Sequence, residues 1–241
     1  MEHPLLFLPI ILNALGLPAY GVPGQGGPLS QILAPHMQYS YLAMIICILI
    51  AKAATSNIQM VPKGMQNVME MYVEGLEDFV TEQVGSKDRA LIIYPMVATF
   101  GFLIFISNYM GLIPGFMSPT ANLNVTLGCT LIAIVTYHAL GIRFHGVKYI
   151  KHFMGPIKVM APFFLVVETF SHAGRIASLS IRLFGNMMSK EMLLGLLFTM
   201  AGPYLAPLPI MLLGVLVCLL QAFIFVVLPV TYCAEAMGEA H

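Results

Sequence analysis

The sequence predicts an all-α membrane protein, with five transmembrane helices plus an amphipathic surface helix, the last two helices long and steeply tilted. Three observations predict it. Hydrophobic residues make up 59% of the 241 residues and charged residues only 9%, whereas a soluble domain carries about 25% charged residues. From Ala90 to Ile142 there is no Asp, Glu, Lys or Arg, a stretch long enough for two spans of roughly 20 residues each. From Ala161 to Met200 a second long apolar run is interrupted only by isolated charges. Lipid, not water, is the medium such a chain must face, and residues 1–241 read as a single polytopic membrane domain.

Composition also excludes. Net charge is zero and the pI is near 7, so no basic footprint for nucleic acid exists. Cys47, Cys129, Cys218 and Cys233 are far apart, without CxxC or Cys/His spacing, and read as small apolar residues rather than zinc ligands or disulfides. There is no phosphate loop, catalytic triad or metal cluster, so no cofactor is expected and no soluble-enzyme reading fits. Asn124-Val125-Thr126 fits a glycosylation acceptor, a pattern short enough to arise by chance.

The elements follow in order. Residues 1–36 form an outer N-terminal segment whose apolar stretch, Leu5 to Leu17, has no basic region before it; it is not read as a cleaved signal peptide. The Gly/Pro-rich run Gly21 to Pro28 is irregular, and the first span covers 37–54. Residues 62–84 carry Glu70, Glu74, Glu77, Asp78 and Glu82. Between these, Met65, Val68, Met69, Tyr72, Leu76, Phe79 and Val80 recur at helical spacing. That pattern is an amphipathic helix, with Pro62 suited to its first turn, lying on the membrane rather than crossing it. Helices at 91–110 and 122–142 form a transmembrane hairpin around Gly111-Leu112-Ile113-Pro114-Gly115 and Ser118-Pro119-Thr120. A basic loop with Arg143, His145, Lys148, Lys151, His152 and Lys158 follows. Helices at 161–200 and 209–236 then form a second hairpin.

Lysine and arginine placement sets the orientation. Lys52, Lys63, Lys87 and Arg89 flank the surface helix, and the second basic cluster follows the first hairpin. The N-terminus and the tips at Gly111–Asn122 and Gly202–Pro209 carry none. The positive-inside rule therefore puts the N-terminus outside and the C-terminus in the cytoplasm. Phe163 to Met200 shows no clear breaker and, as one helix, would be roughly 57 Å long. A straight helix of that length tilts by about 58° to fit a hydrocarbon layer of about 30 Å, past the usual range. It either slants steeply against a partner, kinks, or extends into the cytoplasm.

The residues that carry chemistry lie on that helix: Glu168, His172, Arg175, Arg182, Asn186, Lys190 and Glu191. Arg182 stands in an apolar run with no adjacent acid. An arginine at that depth costs about 2.5–3.5 kcal/mol on insertion scales, so it either pairs in a buried ion pair or lines a pathway. Glu168, Arg175 and Arg182 are seven residues apart and drift only about 20° per heptad, so they share a face. His172, Ser178 and Asn186 extend that stripe at spacings of four. Glu191 falls on the opposite side, toward a different cavity. Gln221 is the only strongly polar side chain between Pro209 and Thr231, at a depth similar to Arg182; it either meets the arginine or stands as a lone satisfied amide.

Ser178-Leu179-Ser180-Ile181-Arg182-Leu183-Phe184-Gly185-Asn186-Met187 resembles the signature of the F-type ATP synthase subunit a family, the ATPase A chain family. Gln221-Ala222-Phe223-Ile224-Phe225 is similar to the last-helix motif of that family, and Pro119 to Leu127 to its hairpin segment. The resemblance runs from about Met37 to the C-terminus. It implies a non-catalytic stator subunit of a bacterial inner membrane complex, forming two offset half-channels to a rotating ring of proteolipid subunits, the c-ring. The subunit b stalk and the rest of the ATP synthase are the other implied partners. Arg182 would face the ring carboxylates, Glu168 would line the cytoplasmic half-channel, and Asn186, Glu191 and Gln221 would belong to the outer half-channel or its junction. Asn108 matches a polar position of the first hairpin helix. Two departures are Gly214, where many members have an ionisable residue, and Gly111, where many have a carboxylate. Lys190 is a third, standing where a small residue is common. A secondary transporter, the main rival, would show internal repeats and more spans; a structural subunit would use Arg182 only as an anchor.

Overall fold

Apolar runs of 20 or so residues leave the backbone no polar solvent, and the helix satisfies it internally. The computed structural model describes residues 34–113, 115–146, 161–201 and 207–238, and every regular element among them is helical. The N-terminal stretch to residue 33, the basic loop with Lys148, Lys151, His152 and Lys158, and most of the Gly202–Pro209 tip lie outside these residues.

Helix α1 (Pro35–Thr55) starts on a proline, whose missing N–H costs nothing in a first turn. α2 (Met65–Val84) ends at Gly85, which takes φ +72° and donates its N–H to the Thr81 carbonyl. Pro62 therefore lies ahead of α2 and not in its first turn. Gln66 instead fixes the preceding chain, exchanging hydrogen bonds of 3.1 and 2.9 Å with the Gln59 backbone. α3 (Lys87–Met110) starts earlier than the apolar run, because Lys87 to Arg89 are already helical after the extended Ser86. A short 3-10 turn (Pro119–Ala121) leads to α4 (Leu123–His145). There Asn122 Oδ1 accepts from the Asn124 N–H at 2.9 Å, an ordinary N-cap. α5 (Ala161–Ala201) runs unbroken for 41 residues, and α6 (Leu208–Met237) for 30.

Among the described residues, four helices, α1, α3, α4 and α6, are long and apolar enough to cross a membrane. α3 packs most extensively on α6, and α6 also packs on α4. The two helices of the expected hairpin, α3 and α4, thus both lie against α6. Periodicity could not show this, because α6 arrives from more than 60 residues downstream. α2 lies across α3 and α6, with Val80 buried among Ile93, Val97 and Val230. Burial pushes the Tyr72 phenol up to about 12, so it remains a donor and bonds the Ala98 carbonyl at 2.9 Å. Gly101 permits the close approach there, since a Cβ would lie 2.7 Å from Val226 Cγ2 and 2.8 Å from Tyr72 Oη. α1 docks through Tyr39, edge-on to Phe116 and bonded to the Gly115 carbonyl at 3.2 Å. Arg89 ties the start of α3 to the end of α6, donating to the Met237 carbonyl at 2.6 Å.

Candidate functional site

α5 is bound through one face only. Leu179, Leu183 and Met187 are buried against Cys218, Ala222 and Phe225 of α6 and Ala133 of α4. Ser178, Arg182 and Asn186 fall along the adjoining, exposed edge. Their apolar neighbour Ile181, on the same exposed side of α5, is more than half exposed. Arg182 donates to Ser178 Oγ at 3.1 Å, one turn back. Among the described residues it has no carboxylate partner.

Polar clusters lie on either side of this arginine. In the first, His172 Nε2 sits 3.2 Å from Glu168 Oε1, with the His172 ring 5.6 Å from Tyr137 and 4.9 Å from His138 of α4. Arg175 is held by Glu235 of α6, with Nη1 to Oε2 at 3.1 Å and Nη2 to Oε1 at 3.4 Å. Its guanidinium also lies 4.8 Å over the Tyr232 ring and 5.9 Å from that of Tyr137. Glu168, Arg175 and Arg182 share a side of α5, but the stripe straddles the edge of the packed face. His172 and Arg175 turn inward while Arg182 stays out.

The second cluster gathers at the 3-10 turn. Asn186 Nδ2 donates to Gln221 Oε1 at 2.7 Å, and Gln221 is almost fully buried. Gln221 thus meets Asn186, one turn beyond Arg182, rather than the arginine itself. Glu191 Oε1 accepts the Ser118 N–H at 2.5 Å, on the side away from Arg182. Ser118 shares a hydroxyl contact of 2.7 Å with Thr120, whose Oγ1 donates to Asn108 Oδ1 at 2.6 Å. Lys190 is buried and donates to the Asn108 carbonyl at 3.2 Å and to Cys218 Sγ at 3.3 Å.

These contacts account for both glycine departures. A Cβ on Gly214 would lie 3.2 Å from Lys190 Cδ, and one on Gly111 would lie 3.1 Å from Glu191 Oε1 and 2.7 Å from Ser118 Cβ. The two side chains fill the space that larger residues would take. At 1.5 Å per residue, Glu168 lies about 21 Å before Arg182 along α5, and Glu191 about 13 Å after it. Buried Leu179, Leu183 and Met187 occupy the packed face between the clusters.

Sequence reasoning missed Ser118, Thr120, Tyr232 and Glu235 as members of the site. Helix register carried a signal for the last. α5 and α6 are antiparallel, so pairing Asn186 with Gln221 sets residues before 186 opposite residues after 221, and Glu235 is the acid available there. Among the described residues no group of His, Cys, Asp and Glu is arranged to hold a metal ion.

Long apolar helices enclosing charged and amide side chains along one of their number define an integral membrane protein. The sequence profile of the ATP synthase A chain matches residues 37–234. The chain is 49% identical to ATP synthase subunit a of Desulfotalea psychrophila and 46% identical to that of Syntrophobacter fumaroxidans, each over 100% of both chains. It is 41% identical to ATP synthase subunit a of Geotalea daltonii, again over the full length of both. The chain belongs to the ATP synthase subunit a family, as an ion-translocating membrane component with no catalytic activity of its own.

Proposed function

We propose that this chain is the stator of a rotary membrane sector, carrying protons through two offset half-channels to and from carboxylates on a rotating c-ring. In this reading α1, α3, α4, α5 and α6 make five crossings of a bacterial inner membrane. The N-terminus is outside, and α2, both basic regions and the C-terminus are on the cytoplasmic side. The subunit b stalk is the further fixed partner. α5, with 41 residues, is about 60 Å long and crosses steeply slanted, which suits a curved ring of near-vertical helices.

The observation that carries this reading is Arg182: exposed on an apolar face, without a carboxylate of its own among the described residues, between two polar clusters. A ring carboxylate can face lipid only when neutral, because a bare ion there is too costly. It loses its proton to one cluster's half-channel, passes Arg182 as an anion, and takes a proton from the other. Glu168 and His172 serve the cytoplasmic half-channel. Asn186, Gln221, Glu191 and Asn108 serve the outer one. A guanidinium stays protonated at any pH reached in the cell, so it attracts the anion without relaying protons and keeps the half-channels insulated. Each charge moved across the membrane releases roughly 2.3 kcal/mol per 100 mV, which biases rotation.

The test is ATP-driven acidification of inverted membrane vesicles, comparing wild type with Arg182→Ala at matched complex assembly. The expected result is pumping reduced to background while soluble-sector ATPase activity survives. Pumping near the wild-type rate would make Arg182 structural and end this mechanism.

A further inference from the structure

We propose that Glu235 is a positioning residue for the first polar cluster: by holding Arg175 against α6, it keeps the guanidinium away from Glu168 and His172 as that pair exchanges protons. This rests on the half-channel reading above.

The local geometry of α5 makes Arg175 a hazard to its neighbours. It lies three residues after His172 and seven after Glu168, on the same side. Residues three apart on a helix have Cβ atoms about 5–6 Å apart, and side chains lean toward the helix N-terminus. Left alone, the Arg175 guanidinium swings back over His172 toward Glu168. There it would hold the carboxylate in its charged form and disfavour a second positive charge on the imidazole. Both effects oppose proton uptake.

The structure shows the opposite arrangement. Both guanidinium Nη atoms face the Glu235 carboxylate at 3.1 and 3.4 Å, and the Tyr232 ring backs the group at 4.8 Å. His172 is the partner of Glu168, at 3.2 Å. Among the described residues, the groups facing this site are Tyr137 and His138 from α4, Glu168 and Arg175 from α5, and Tyr232 and Glu235 from α6. Only Arg175 carries a permanent positive charge among them, and only Glu235 is positioned to neutralise it.

A role as mere glue between helices fits poorly. The Glu235 side chain is 57% exposed, and an ion pair that open to solvent adds little to stability. α5 and α6 are already joined by the buried cluster of Leu179, Leu183, Met187, Cys218, Ala222 and Phe225. The pair's consequence is electrostatic: it leaves Arg182 as the one uncompensated cation on α5 facing the apolar surface.

The experiment uses the whole complex in inverted vesicles, with ATP-driven pumping measured across pH. Wild type, Glu235→Gln and the double variant Glu235→Gln/Arg175→Gln are compared at matched assembly and soluble ATPase activity. In the single variant the pH of half-maximal pumping is expected to fall by about one unit or more, with the deficit greatest at alkaline pH. Removing the freed cation in the double variant is expected to restore the wild-type profile. A wild-type profile for Glu235→Gln overturns the proposal, and so does a double variant as impaired as the single one. Arg182→Ala vesicles run alongside separate the two readings: if they pump normally, the half-channel mechanism itself fails, whatever Glu235 does.

Discussion

A buried lysine needs acceptors, and Lys190 finds the Asn108 carbonyl and the Cys218 sulfur. Its methylene chain meanwhile packs where a side chain at position 214 would stand. Gly214→Ala brings a Cβ to 2.8 Å from Leu112 Cδ2 and 3.2 Å from Lys190 Cδ. Overpacking of that kind costs about 1–3 kcal/mol, so the thermal midpoint of the purified complex should drop. Adding Lys190→Ala should recover part of the loss, because one of the two obstacles is gone; a double variant no more stable than Gly214→Ala would refute this packing. At this scale the sequence displayed charges but not their partners. Arg182 was legible because a lone guanidinium in an apolar run has few explanations. Glu235 and Ser118 were not, because an acid near a helix end and a serine in a turn are ordinary until another helix arrives beside them.

Helices were legible for a stronger reason: each apolar run has to become one, and glycines or prolines bracket most of them. The Pro62 expectation failed because Gly64, at φ +60°, and the Gln66–Gln59 exchange fix the start of α2 at Met65. Packing order was less visible, since α1, α3, α4 and α6 are all apolar around their circumference and any pair looks able to pack. Small residues decide it. Without a hydrophobic drive between helices in lipid, close van der Waals contact selects partners, and Gly101 is where α2, α3 and α6 converge. Gly101→Val should therefore prevent α6 from docking against α3, read as a severe loss of the subunit from membranes by immunoblot. Gly128→Ala on α4, where a Cβ meets nothing within 4 Å, should accumulate normally. Equal accumulation of the two variants would show that Gly101 does not set the contact.

For the whole molecule, orientation decides which cluster faces which compartment, and it follows from charge placement rather than from packing. The α1–α2 loop and the start of α4 lie at opposite ends of α3, so a single crossing by α3 puts them on opposite sides. Ser56 and Asn124 are both exposed there. With Cys47, Cys129, Cys218 and Cys233 replaced by alanine, a membrane-impermeant maleimide should label Ser56→Cys in inverted vesicles and Asn124→Cys in intact cells. The same result assigns the clusters. Ser118 and Thr120 precede α4 and hold Glu191 and Asn108, so they share the side of Asn124. The first cluster lies toward the end of α6 that Arg89 fastens to the start of α3, so it shares the side of Ser56. Proton uptake during ATP-driven pumping then begins at Glu168 and His172. Reversed labelling would exchange the half-channels while leaving the role of Arg182 between them intact. Labelling of both cysteines from one side would mean that α3 does not cross, and the offset of the two clusters would lose its use as a transmembrane pathway.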